Sequence, residues 1–162
     1  MIIKHPLPLK DFDYIGQHHY RLTWCCDFRR RQFTQADRVN LVLQQFLRAC
    51  RESGFEIIAY CFMPDHVHQL VRGASISADG HRYIKLAKQY SGYYFSCEYH
   101  EKLWQRYGHD SWLQDENSIR AAAAYILENP VKDKLVERVE DYPFIGSCTM
   151  SLEELIEWIR ER

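Results

Sequence analysis

The chain has 162 residues, a formal net charge of −1, 46% hydrophobic and 27% charged residues, and is long enough to bury one core. These values exclude the disordered and low-complexity classes, and they exclude a global basic field, so any anionic partner has to be met by a local patch. No apolar run approaches membrane-spanning length, and the prolines and acids of MIIKHPLPLKDFDY interrupt what a signal peptide needs. Six cysteines show no CxxC pair, and several sit inside apolar runs as small hydrophobes, which suits a reduced protein. The expectation is one domain over residues 1–162, cytoplasmic, with no membrane partner.

His18 to Phe28, HHYRLTWCCDF, is aromatic and β-branched and alternates, which predicts a strand. Thr34 with Asp37 can cap a helix over about Gln35 to Ser53, in which Val39, Val42, Phe46 and Cys50 recur at helical spacing before Gly54 stops it. Phe55 to Met63 and His66 to Arg72 are apolar runs around Met63-Pro64-Asp65, the pattern of a hairpin. Ser77 to Tyr99 is helical, with Ile84, Ala87, Tyr90 or Ser91, Tyr94 and Phe95 near one face, and Gly108 to Leu113 is a short strand.

Asp115 or Asn117 can cap the next helix, SIRAAAAYILEN, which Pro130 is expected to end. Ser151 and Glu154 form a capping box that opens a last short helix over about 151–161. The order β-α-β-β-α-β-α predicts an α+β fold, a ferredoxin-like split βαβ sandwich. Its antiparallel sheet would have four to five strands, with helices mainly on one face.

Two groups carry chemistry. His66 and His68 are i, i+2 on a strand, so both imidazoles leave one face while Val67 leaves the other, and two imidazoles side by side can chelate a metal ion. Two ordinary histidines, one buried and one at a strand end, would give the same pattern. Tyr125 and Asn129 are i, i+4 on a helix and place a phenol and an amide on one face. A core tyrosine and a helix-ending asparagine would do so too.

Taken together, YCFMPDHVHQLV resembles the sheet motif of the single-tyrosine HUH transposases, and YILENPVKDKLV followed by DYPFIGS resembles their tyrosine-helix motif. The likeness is strongest to their IS200-like, REP-associated branch. It runs from about Tyr20 to Ser147, and LWQR at Leu103 to Arg106 sits where that family commonly has such a run.

The resemblance implies a transposase that cleaves and rejoins single-stranded or hairpin DNA. Tyr125 matches its nucleophile, which forms a covalent 5′-phosphotyrosine link and frees a 3′-hydroxyl. His66 and His68 match the metal-binding pair, and Asn129 matches a further metal-facing group. The resemblance also implies a homodimer. Mixed nitrogen and oxygen ligands with open water positions suit Mg²⁺ or Mn²⁺, although imidazole also accepts Zn²⁺, Ni²⁺ or Co²⁺.

Arg29, Arg30 and Arg31, Lys85 and Lys88, and Lys132 with Lys134 are the candidate DNA-backbone contacts, and Tyr93 or Trp104 could stack on unpaired bases. Tyr90, Tyr93 and Tyr94 are rival nucleophiles by residue type, without the Asn-Pro context of Tyr125. Two other readings stay open. One is a non-catalytic or domesticated hairpin-binding regulator on the same fold; the other is a metal-dependent hydrolase using His66, His68 and Asp65.

Overall fold

The computed structural model describes residues 2–5 and 13–161, with side chains placed from residue 13 onward. Its elements are β1 (Ile2–His5), β2 (His19–Cys25), α1 (Ala36–Ser53), β3 (Phe55–Met63), β4 (His66–Gly73), α2 (Gly80–Tyr99), β5 (His109–Leu113), α3 (Glu116–Lys132), β6 (Ile145–Gly146) and α4 (Leu152–Arg160). The strands form one sheet in the order β1-β5-β2-β4-β3-β6, and every neighbouring pair is antiparallel.

The central strands β5-β2-β4-β3 and the helices α1 and α2 make the split βαβ unit expected from the element order. The short edge strands β1 and β6 extend it to six. Neither edge strand stands out in the sequence, because β6 is two residues long and β1 carries no alternation beyond four residues.

Both faces of the sheet are apolar, so both are covered. On one face Tyr20, Leu22 and Trp24 of β2 and Val67 and Val71 of β4 pack with Val39, Val42 and Phe46 of α1 and Tyr83, Ala87 and Phe95 of α2. On the other face Ile58, Ala59, Cys61, Met63 and Leu70 pack with Ala122, Ala123, Ile126 and Leu127 of α3 and Leu155 of α4. The helices are therefore divided between the two faces rather than gathered mainly on one. The sequence's alanine run explains the second layer: Ala122 and Ala123 are buried, and their small side chains let α3 lie close against β3 and β4.

Local signals agree with the structure at most boundaries. Gly54 takes the left-handed conformation at φ 74° that ends α1, Asp79 and Asp115 cap α2 and α3, and Ser151 with Glu154 makes a capping box at α4. Two details differ. Gln35, not Thr34, precedes α1, and its side chain makes no capping bond. Pro130 does not end α3, which runs on to Lys132. A proline this close to a helix end forfeits little, and the carbonyls of Asn129, Pro130 and Val131 accept bonds from Asp133, Leu135 and Lys134.

Candidate active site

Alternation along β4 puts Val67 into the α1/α2 core and turns His66 and His68 to the face that carries α3. Register then supplies their neighbours. Cys25 lies opposite His66 and Thr23 opposite His68, so β2 offers a polar floor beside the pair.

The two imidazoles converge, His66 Nε2 lying 3.1 Å from His68 Nε2 with the rings nearly perpendicular at 88°. Each ring is held from its other nitrogen. His66 Nδ1 is 2.7 Å from Asp65 Oδ1, and His68 Nδ1 is 3.0 Å from Thr23 Oγ1. A carboxylate there accepts a hydrogen bond from His66 Nδ1–H and so leaves the Nε2 lone pair facing His68.

Asp65 is itself fixed. Arg29 Nε donates to its Oδ2 at 2.9 Å, and the turn that carries it is strapped to the segment after β2 by Cys26 N to Asp65 O and Phe33 N to Pro64 O. Burial acts to raise the Asp65 carboxyl, but the hydrogen bonds from His66 and Arg29 outweigh it and hold the group below its ordinary value. Burial, with help from His66 and Arg21, pushes the His68 imidazole down to about 3, so this ring is neutral at physiological pH.

Helix α3 brings Tyr125 over this pair. Its ring is 5.7 Å from that of His68, edge to face, and 39% of the residue is exposed. Two cations approach the same ring: the Arg21 guanidinium at 5.2 Å from β2, and the Lys132 ammonium at 4.9 Å from the last turn of α3. Asn129, one turn after Tyr125, is buried, and its Nδ2 donates to the Tyr125 carbonyl at 2.8 Å. That bond uses the amide nitrogen, not the oxygen that a cation would take.

The pair fits a divalent ion. Two nitrogens each about 2.1 Å from one ion, and roughly at a right angle, lie about 3 Å apart, as these two do. Their outer nitrogens are already oriented. Among the described residues no group of three or more His, Cys, Asp and Glu side chains is placed to hold a metal. The hydrolase ligand set of His66, His68 and Asp65 is therefore not assembled, because Asp65 is spent on the far nitrogen of His66.

The candidate DNA contacts separate by location. Lys132 reaches the tyrosine, and Arg30 and Arg31 are exposed in the segment after β2, but Arg29 is committed to Asp65 and to the Cys25 sulfur. Lys85 and Lys88 lie on α2, on the opposite face of the sheet from the histidines, and Lys88 is half-buried over Trp24. Tyr93 is exposed, whereas Trp104 is buried and donates Nε1–H to Ser91 Oγ, so it presents no stacking surface. The LWQR run instead extends the end of β2 through Asp27 N to Leu103 O and Gln105 N to Cys25 O. DYPFIGS likewise buttresses the hairpin, with the Tyr142 hydroxyl donating to the Phe62 carbonyl.

Arg21 and Thr23 were not singled out in the sequence. The signal was there in HYRLTWC, whose alternate residues share a face, but only the register between strands shows what that face meets.

Comparison with known proteins bears on the family and the fold. The family profile described as transposase, IS200-like, matches residues 14–129. A Haemophilus influenzae protein assigned as a REP-associated tyrosine transposase is 28% identical over 121 residues, which cover 67% of this chain and 68% of that one. Among solved structures, a REP-associated tyrosine transposase bound to a REP hairpin superposes with a TM-score of 0.72 at 22% identity over 86% of this chain and 82% of its own. A Deinococcus radiodurans protein assigned as a transposase gives a TM-score of 0.52 at 22% identity over 75% of this chain and 96% of its own. At these identities the two structures establish the fold.

Proposed function

The chain belongs to the IS200-like transposase family, and from that premise we infer that it is a single-tyrosine transposase that cleaves and rejoins single-stranded DNA at hairpin ends. The observation that carries this reading is the convergence of Tyr125 on the His66/His68 pair from a separate element.

The Tyr125 hydroxyl attacks phosphorus at the target linkage. An Oη–P bond forms, the bond from phosphorus to the 3′ oxygen breaks, the phenol loses its proton to solvent, and the departing 3′ oxygen gains one. The product is a 5′-phosphotyrosine and a free 3′-hydroxyl. Because the link conserves a phosphodiester, a 3′-hydroxyl from another strand can reverse the step without an external energy source.

His66 Nε2, His68 Nε2 and the Asn129 amide oxygen would hold a divalent ion, Mg²⁺ or Mn²⁺, which supplies polarisation of a non-bridging phosphate oxygen. Asp65 and Thr23 orient the two imidazoles. Buried His68 stays neutral and so remains a ligand rather than an acid. Lys132 adds positive charge where the backbone arrives.

The hairpin is the partner, and a homodimer acting on DNA in the cytoplasm is the working assembly. No helix among the described residues is long and apolar enough to cross a membrane. The test is a denaturing gel of a REP-type hairpin oligonucleotide incubated with the protein and Mg²⁺ or Mn²⁺. A protein–DNA adduct is expected. A regulator that only binds would give none, and its binding would be indifferent to chelator.

A further inference from the structure

We propose that Arg21 is a further catalytic residue, one that grips a non-bridging oxygen of the scissile phosphodiester and sets it against the Tyr125 hydroxyl. The proposal rests on the strand-transfer reading and gives it a residue which neither the motifs nor the comparisons name. Arg21 sits in β2 opposite Leu70 of β4 and Ser111 of β5, two residues before the Thr23 that holds His68. Its sequence neighbours Tyr20 and Leu22 are buried in the α1/α2 core, so its own side chain leaves the sheet on the histidine face.

There its guanidinium stands 5.2 Å from the centre of the Tyr125 ring, and its charge is one of the influences that keep His68 unprotonated. It is thus within reach of the nucleophile and of the metal-binding pair together.

What Arg21 lacks is equally informative. Arg29, Arg48, Arg72 and Arg120 each have a carboxylate partner, at 2.9, 3.2, 2.5 and 2.7 Å. Among the described residues no carboxylate lies within ion-pair distance of Arg21, and its guanidinium makes no side-chain hydrogen bond, although the residue is half-buried. Among the described residues the groups that meet this half-buried cation are a phenol ring and a neutral imidazole, neither of which balances its charge, and an anion completes it.

The planar fork of a guanidinium matches the paired oxygens of a phosphodiester, which the point charge of Lys132 does not. Arg21 also projects from a central strand, paired on both sides, so its base is rigid. The division that follows is attraction by Lys132 and orientation by Arg21.

The experiment compares wild type, Arg21→Ala and Arg21→Lys on a REP-type hairpin oligonucleotide with single-stranded flanks. Adduct formation is timed with the ordinary linkage and with each phosphorothioate diastereomer at the linkage that wild type cleaves. Arg21→Ala is expected to slow the adduct by roughly 10²-fold, the scale for a lost transition-state donor, while hairpin affinity is little changed.

In Arg21→Lys, which keeps charge and stem, the preference between diastereomers narrows, because the fork that distinguishes the two oxygens is gone. Should Arg21→Ala fail to fold, that ratio in Arg21→Lys decides alone. Wild-type adduct rates in Arg21→Ala, a fall in affinity that accounts for the whole loss, or an unaltered diastereomer preference in Arg21→Lys each overturn the assignment. Failure of wild type itself to form any adduct overturns the strand-transfer reading instead, and this assignment goes with it.

Discussion

His66 Nε2 faces His68 Nε2 across 3.1 Å, and each ring is gripped from behind, one by Asp65 and the other by Thr23. Such outer bonds fix ring orientation and tautomer before an ion arrives. Asp65→Ala and Thr23→Val are therefore expected to weaken Mn²⁺ binding by about 10–100-fold without unfolding the protein. Titration calorimetry with Mn²⁺ checks this, and unchanged affinity in both variants would remove the orienting role.

The basic residues divide by sheet face, and so should their effect on DNA. Arg30 and Arg31 follow β2 on the side of the hairpin turn, while Lys85 is exposed on α2 behind the sheet. Arg30→Ala and Arg31→Ala are expected to lower the salt dependence of hairpin binding by about one charge each, and Lys85→Ala to leave it unchanged. Affinity measured across a range of NaCl concentrations separates the two groups.

Stability should depend on pH through Asp110. The residue is buried, and burial pushes its carboxyl up to about 6 against the pull of Lys88, of the Trp24 indole N–H and of His109. An unfolded aspartate titrates near 3.9, so between about pH 4 and pH 6 the folded state holds more proton than the unfolded one. The sign is that stability is greatest below about pH 4 and falls as pH rises through 6, by on the order of 2–3 kcal/mol for this group. Urea unfolding of wild type and Asp110→Asn at several pH values is the check: the variant should lack this component of the slope.

Gly73 closes β4 beside the segment that leads into β2. A Cβ there would come 2.0 Å from the Gly16 carbonyl oxygen, a backbone atom that cannot swing aside, while Gly73 N donates to the His18 carbonyl. Gly73→Ala is expected to cost about 3 kcal/mol or more and to lower the melting temperature clearly. A melting temperature like that of wild type would show that the segment before β2 can move.

The sequence carried much of the site because its central elements obey short-range rules. His-Val-His in a strand and Tyr-x-x-x-Asn in a helix each fix a face, and the capping residues at Asp79, Asp115 and Ser151 fix the helix starts. What it hid depends on contacts between elements. Trp104 could be read as an exposed stacking ring until its burial beneath α2 is seen, and the ion pair of Arg29 with Asp65 is invisible until the hairpin turn is placed beside the segment after β2. Arg21 is one polar residue among several in an alternating strand, and nothing local announces that β2 pairs with β4 at the register that sets it beside Tyr125.

The central claim is that the Tyr125 hydroxyl attacks DNA, and one comparison tests it most directly. Wild type and Tyr125→Phe are incubated with a labelled REP-type hairpin oligonucleotide and Mn²⁺, and the products are resolved on a denaturing gel. Wild type is predicted to give a slow-migrating protein–DNA adduct, and Tyr125→Phe, which keeps the ring and its packing against His68 and Arg21, to bind the hairpin but give none. An adduct of equal yield from Tyr125→Phe would contradict the account.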